Sequence, residues 1–153
     1  MRALAHLGQL DLLRTLYGQV LVPPAVEWEL FHPPIAHPVV NIAQLGFAQV
    51  QAPHDQLQVN QLLRQLDLGE AEALVLACEV QASAILIDER RGRTAAKRLG
   101  LHRVGTLGVL MEARRNGLIQ AVRPLMDDLE NNLKFFISAK LRADILRLAG
   151  ESP

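Results

Sequence analysis

Residues 85–93 read ILIDERRGR, an apolar run that stops on two acids and is followed by three arginines in four positions. A short run of branched apolar side chains is typical of a buried strand. Residues 70–81, just before it, carry apolar side chains at helical spacing, and residues 93–101 read as a further short helix. A second short strand is predicted in HRVG, residues 102–105. Helix and strand therefore alternate around this stretch, which indicates a parallel sheet.

The amino-terminal part of the chain continues the same alternation. Leucines from Leu4 to Leu16 recur at about helical spacing and predict one helix, after which QVLVPP reads as a strand and PAVEWELF as a helix. Residues 32–56 hold several prolines and histidines around a weak strand candidate, HPVVNIA, and are predicted to be mostly loop.

The carboxyl-terminal part is predicted to be helical. Thr106 and Ser138 are candidate caps for the helices that follow them, and the segment MDDLENNL lies between these helices. With no repeat or linker in view, we predict one α/β domain over residues 1–153, with a central parallel sheet and helices on both faces.

Composition narrows the class of protein. Half of the 153 residues are hydrophobic, and the 16 Lys and Arg residues balance the 16 Asp and Glu residues, which favours a globular domain. The lone Cys78 allows no internal disulfide, and no apolar run has the length of a membrane span. We therefore expect a cytoplasmic protein with no membrane association.

Carboxylates occur where chemistry is expected in an α/β fold, beyond the carboxyl ends of the strands. Asp88 ends the strand AILI and Glu89 follows it, while Glu29 lies in the helix after the strand QVLVP. Glu72 lies on the helix 70–81, whereas Glu70 is interpreted as a first-turn carboxylate that satisfies the helix start. Glu29, Glu72 and Asp88 are thus predicted to converge at one end of the sheet.

Such a cluster requires cations or protons. Two like charges about 4 Å apart repel by roughly 4 kcal/mol at an effective dielectric near 20. Oxygen ligands with no cysteine or patterned histidine beside them suit Mg²⁺ or Mn²⁺ and disfavour zinc. Such an ion activates water and stabilises the charge that develops on a phosphoryl group, as in many nucleases.

A basic segment follows the acids directly. Six of the 16 Lys and Arg residues lie within residues 90–103. Beside a metal centre they would grip the phosphates of a nucleic-acid strand. The alternative is a set of exposed salt bridges between the acids and the arginines, each contributing little. The residues predicted to bind nucleic acid are Arg90, Arg91, Arg93, Lys97 and Arg98.

The order of the motifs VPPAVEWEL, LDLGEAEALVLACE, ILIDERRGR, AAKRLGL and VGTLGVLMEARRNGLI resembles the PIN-domain family, in particular its VapC-like branch. The resemblance implies a three-layer α/β sandwich and a Mg²⁺- or Mn²⁺-dependent ribonuclease that cuts single-stranded RNA. It also implies a toxin held inactive by a small antitoxin protein, and a homodimer. The family's acids fall on Glu29, Glu72 and Asp88, with Glu89 as an auxiliary metal ligand.

One departure from the family pattern leaves two alternatives open. Members of this branch begin with a strand that carries the first catalytic aspartate, whereas this sequence starts at the helix RALAHLGQLDLL. The resemblance thus implies that the first strand, one ligand and the middle of the sheet are missing. The expected function is either a PIN-type endoribonuclease or a catalytically inactive relative that binds RNA or an antitoxin.

Overall fold

The structure is a computed structural model that describes residues 1–34 and 37–152. The helices of these residues are α1 (Arg2–His6), α2 (Asp11–Tyr17), α3 (Pro24–Phe31), α4 (Gln56–Leu62), α5 (Leu68–Glu79), α6 (Arg90–Arg98), α7 (Thr106–Arg115), α8 (Arg123–Leu133) and α9 (Ala139–Ala149). The strands are β1 (Val20–Val22), β2 (Ala48–Val50), β3 (Ile85–Leu86) and β4 (Arg103–Val104). A 3₁₀ turn spans Ile42–Gln44. Within the described ranges, no helix is long and apolar enough to cross a membrane.

All strand pairs in the described residues are parallel, as the alternation of helix and strand predicts. Strand β1 pairs with β2, with Val20 opposite Ala48, and β3 pairs with β4, with Ile85 opposite Arg103. The pairs form separate two-stranded sheets rather than one continuous sheet. The predicted central sheet is therefore present in two halves.

Helices cover both faces of the β3–β4 half. Ile85 and Ile87 pack in one buried cluster with Leu74 of α5 and Ala96 of α6. Leu86, which points the other way as alternation along a strand requires, packs on a larger cluster formed by α1, α2, α7, α8 and α9. The mixed α/β architecture with helices on both faces is thus confirmed.

One edge of β1 faces away from β2 and pairs with no other strand among the described residues. The Val20 N–H donates to the Phe47 carbonyl, and the Gln51 N–H donates to the Val22 carbonyl, so the even-numbered residues of β1 face β2. Because backbone groups alternate sides along a strand, the N–H and C=O of Leu21 point to the opposite edge.

Strand β3 repeats this arrangement. The Ile85 N–H donates to His102 and the Ile87 N–H donates to Val104, so these residues face β4. By the same alternation, the N–H and C=O of Leu86 point away from β4.

A cavity of about 450 Å³ separates the two halves of the sheet. Leu21 and Leu86 both line it, together with Met1 at one end and Ala77 of α5. The unpaired edges of β1 and β3 therefore border the same cleft, which has the position of a further strand.

The leucine repeat from Leu4 to Leu16 does not form the single helix that its spacing predicts. Helix α1 ends at His6 and α2 begins at Asp11, with Gly8 between them at φ +65°. The spacing of the leucines does not reveal this break, because Leu4 and Leu13, on either side of it, are buried in the same core cluster. Gly8 supplies the left-handed conformation that ends α1.

The strand candidate HPVVNIA does not form a strand, in keeping with the prediction that this region is mostly loop. That segment holds the 3₁₀ turn, whose Ile42 packs with Val40 in a small core cluster. The strand of this region is instead β2 (Ala48–Val50), whose partly exposed residues lack an apolar run. The loop predicted over residues 32–56 includes Ile35 and Ala36, which lie outside the described residues.

We predict that Gly8→Ala destabilises the protein by about 1 kcal/mol, because alanine is disfavoured in the left-handed region. No other atom approaches the position of the added methyl group, so the effect is conformational rather than steric. Chemical denaturation followed by circular dichroism measures the change. Gly46→Ala is the matched control, since that site is equally open and lacks a positive φ. Equal losses in the two variants would contradict this account of the break.

Candidate metal centre at the helix starts

The candidate site lies where several helices begin. Strand β1 ends at Val22 and α3 begins at Pro24, while β3 ends at Leu86 and α6 begins at Arg90. Helix α7 begins directly after β4, and α5 packs against both α3 and α6. Helix starts carry unpaired N–H groups and partial positive charge, so this edge of the fold favours carboxylates.

Three carboxylates form the tightest acidic group in the described residues. Asp67, Glu70 and Glu89 each offer an oxygen, and these oxygens lie within 4.8 Å of one another. Glu89 belongs to the predicted site, but Asp67 and Glu70 do not. Asp67 also caps α5, because its Oδ1 accepts the Glu70 N–H at 2.8 Å. The carboxylate of Glu70, which the sequence analysis assigns to the start of its own helix, lies against Gly92 at the start of α6.

Glu70 is partly buried, unlike the two other members of this group, which are exposed. Burial, followed by the negative charges of Asp67 and Glu89, raises its pKa to about 6, although the backbone N–H groups of Asp67 and Gly92 oppose the shift. Its Oε1 is buried and has no hydrogen-bond partner within the described part of the chain. A methyl group at Gly92 of α6 would overlap both this oxygen and Ile87. Gly92 thus lets the carboxylate approach the α6 backbone.

Glu29 is half-buried on α3 and faces α5. A methyl group at Gly69 would lie 2.8 Å from its Oε1, so the carboxylate rests on the glycine in the first turn of α5. Burial raises the Glu29 pKa, followed by the charge of Asp67, while the nearby Arg2 guanidinium opposes this shift. The charges of Glu89 and Glu72 also raise it. Glu29 is therefore coupled to the acidic group.

Asp88 is held at the start of α7. Its Oδ1 accepts the Thr106 N–H at 2.7 Å, and its Oδ2 accepts the Thr106 hydroxyl at 2.7 Å. Thr106 is fully buried and is the first residue of α7, whose N-cap is Gly105. The prediction that Thr106 caps this helix is therefore wrong; the carboxylate of Asp88 takes that role, and Thr106 fixes its orientation.

Glu72 has a different environment from the one expected. Its Oε2 accepts the Ala25 N–H in the first turn of α3 at 2.9 Å, which joins α5 to α3. The structure thus places Glu72 near Glu29 but uses one of its oxygens for packing between helices. Glu70, two residues earlier, faces α6. Helical periodicity separates these two acids but does not say which face meets α6.

The basic segment divides into two groups. Arg93 turns inward, donates to the Ile87 carbonyl at 3.1 Å and lies beside Gly105 near Asp88. Lys97 is exposed, and the remaining three line a surface cleft with Arg64; these are Arg90, Arg91 and Arg98. No ion pair in residues 1–34 or 37–152 joins Asp88 or Glu89 to an arginine. Mutual neutralisation of acids and arginines therefore does not explain the sequence pattern.

The acids fit a hard divalent cation. The donors are carboxylate oxygens, one of them buried without a partner in the described residues, and burial together with neighbouring negative charge raises the pKa values of Glu29 and Glu70. Asp67, Glu70 and Glu89 are positioned to share such an ion, with the electrostatically coupled Glu29 beside them and Asp88 at the neighbouring helix start.

Comparison with known proteins agrees with this geometry. The chain matches the family model described as a PIN domain over residues 1–151, and neither a curated protein nor a solved structure matches it significantly. PIN domains have a nuclease fold, typically use divalent metals and generally bind RNA. The matched residues span nearly the whole chain, and the chain therefore belongs to the PIN-domain family.

Proposed function

We propose that the protein is a metal-dependent endoribonuclease of the VapC-like branch that cleaves single-stranded RNA. The observation that carries this proposal is the group formed by Asp67, Glu70 and Glu89, with the electrostatically coupled Glu29 beside it. Membership of the family gives more general support, since PIN domains have a nuclease fold and generally bind RNA.

The proposed ion is Mg²⁺ or Mn²⁺. Its ligands would be Glu29 and Glu89, as the sequence predicts, with Glu70 in place of Glu72 on α5 and Asp67 as a further oxygen donor. When bound, such an ion activates water and stabilises charge on a phosphoryl group. This ligand set differs from the sequence prediction in two respects. Glu70 and Asp67 take the place of Glu72, which already accepts the Ala25 N–H. Asp88, which Thr106 holds through both oxygens, is not among the proposed ligands.

The protein's own groups prepare the site in three ways. The starts of α3, α5, α6 and α7 stabilise the carboxylates through their unpaired N–H groups and partial charge. Thr106 holds both oxygens of Asp88, so this carboxylate keeps one orientation. The inward Arg93, anchored on the Ile87 carbonyl, provides a fixed positive charge beside Asp88 that can contact a substrate phosphate.

We further infer that an additional parallel strand fills the cleft between β1 and β3 and brings the first aspartate of the VapC-like pattern. The unpaired backbone edges at Leu21 and Leu86 support this inference, because both line the cleft. Met1 lies at the end of the cleft, and its amino group is buried close to Asp88. A residue joined before Met1 would therefore enter the cleft next to the acids.

A second candidate function is that of a catalytically inactive PIN domain that binds RNA or an antitoxin. The position of Glu72 favours it, because one of the acids expected from the family pattern is engaged in packing between α5 and α3. In either case we propose a small antitoxin and a second copy of the chain as partners. Large apolar side chains that are exposed in the structure, among them Trp28, Phe31, Phe136 and Leu148, are available for such contacts.

We predict that Glu70→Gln lowers the rate of RNA cleavage by roughly 100-fold or more, because it removes a charged metal ligand. Glu72→Gln is the matched control, since glutamine keeps an oxygen that can accept the Ala25 N–H. Cleavage of labelled single-stranded RNA in Mn²⁺ measures the rates, and circular dichroism checks folding. If Glu72→Gln lost most of its cleavage activity while Glu70→Gln stayed active, the metal ligand on α5 would be Glu72, as the sequence predicts.

We predict that Mg²⁺ stabilises the protein more at about pH 7.5 than at about pH 5, since Glu70 with its pKa of about 6 is protonated at the lower pH. Without metal, the contribution of Glu70 to stability should instead fall as the pH rises. A raised carboxyl pKa in the folded state contributes stability at low pH that is lost as the pH rises through about 6. Thermal unfolding with chelator and with Mg²⁺ measures both effects.

The control for this pH dependence is Glu70→Gln, which removes the titrating group. Without metal this variant should be more stable than wild type at neutral pH, and the difference should shrink as the pH falls through about 6. A wild-type response to Mg²⁺ that the variant reproduces at every pH would place the ion elsewhere.

We predict that an amino-terminal extension with an apolar, strand-forming segment ending in Asp increases cleavage strongly, because the free edges of β1 and β3 can pair with it. The same extension ending in Asn should restore stability but not activity. Cleavage rates and melting temperatures of the two extended proteins separate these effects. Activity that is absent in both extended proteins would support the inactive binding module.

A further inference from the structure

A second surface cleft lies beside the acidic group. It has a volume of about 580 Å³, and its walls come from two separate segments. One wall is formed by Arg64, Gln65 and Leu66, between α4 and α5. The other wall is the face of α6 that carries Arg90, Arg91, Thr94, Ala95 and Arg98. Four guanidinium groups thus surround one space.

The start of α6 is charged against its own dipole. Its first turn contains no acid, and its N-cap residue, Glu89, makes no capping hydrogen bond because its carboxylate belongs to the acidic group. Arg90 and Arg91 instead place positive charge at the positive end of the helix, which is unfavourable. An anion in the cleft would offset the charge of these two arginines, since both line the cleft.

The arginines of the cleft have no acidic partners within the described ranges. None of the ion pairs found there includes Arg64, Arg90, Arg91 or Arg98, and all four are exposed. Neighbouring like charges repel, so gathering them around one cleft weakens the fold unless a ligand is bound. The apolar floor formed by Leu66 and Ala95 keeps the guanidinium groups at the rim.

The cleft is continuous in sequence with the proposed metal centre on both walls. Leu66 precedes Asp67, and Arg90 follows Glu89. A ligand that reaches from the proposed metal centre into the cleft would meet arginines on both walls, which suits an extended polyanion. A single-stranded polynucleotide is such a ligand, since each linkage bears one phosphate.

We propose that this cleft binds the phosphodiester backbone of the RNA strand next to the cleaved linkage, with Arg64 as a binding residue outside the basic segment. The inference rests on the proposed function for the identity of the strand. Arginine suits this role because its planar guanidinium donates two parallel hydrogen bonds to one phosphate. The contacts are to phosphates and therefore add affinity without sequence preference.

The test compares binding of a fluorescently labelled single-stranded RNA by the full chain and its variants, by anisotropy with chelator present so that no cleavage occurs. Arg64→Gln should weaken binding about five-fold, and the double variant with Arg98→Gln should weaken it further. The slope of log affinity against log salt should fall by roughly 0.7 for each arginine removed. Arg115→Gln is the control, because Arg115 is exposed at the end of α7, away from the cleft.

Four results would overturn the inference. Unchanged binding by Arg64→Gln, or no measurable binding by the wild type, removes the cleft from RNA recognition. A loss on RNA with none on single-stranded DNA of the same sequence would exclude phosphate as the contacted group. An equal loss of binding to polyglutamate would assign the cleft to an acidic protein instead.

These binding experiments test the cleft separately from the proposed nuclease activity. Weakened binding in the variants together with a wild type that never cleaves would support the cleft and reject the proposed enzyme. Cleavage that depends on Glu70 together with unchanged RNA binding in Arg64→Gln would support the proposed enzyme and reject the cleft as an RNA-binding site.

Discussion

Repulsion between carboxylates is the constraint on which the arrangement of the helices depends. Asp67, Glu70 and Glu89 offer oxygens within 4.8 Å of one another, a distance at which like charges repel by a few kcal/mol near a protein surface. The fold offsets part of this cost by directing the starts of α5 and α6 toward the group. Burial, followed by the negative charge of neighbouring acids, raises the pKa values of Glu29 and Glu70, and a cation at this group would neutralise that charge.

Close approach of these acids depends on the absence of side chains. Gly69 lies against the Glu29 carboxylate, Gly92 against that of Glu70, and Gly105 against that of Asp88. Each of these glycines lies at the start of a different helix, so each helix start can contact an acid from another element. The site thus depends on the close approach of the backbone at these glycines as well as on the carboxylates.

The sequence predicts the mixed α/β architecture well because ILIDERRGR and its flanking helices have clear periodicity. Asp88 and Glu89 are correctly expected at the end of β3, since position after a buried strand is a local property. The choice between Glu70 and Glu72 is not local. It depends on which face of α5 meets α6 and which meets α3, and only packing decides that. The same limit applies to Arg93, whose inward direction follows from contact with the Ile87 carbonyl.

Helix α6 has little intrinsic tendency to form. It contains Gly92 in its first turn and arginines at its positive end, and only Gly92 and Ala96 are buried. The stability of α6 therefore depends on packing against neighbouring elements and on the charges that lie on either side of its first turn. Amide protons of this helix should consequently exchange with solvent through local opening more readily than those of α7, which buries four residues. Occupancy of the proposed metal centre and of the arginine-lined cleft would then be coupled through the folding equilibrium of a single short helix.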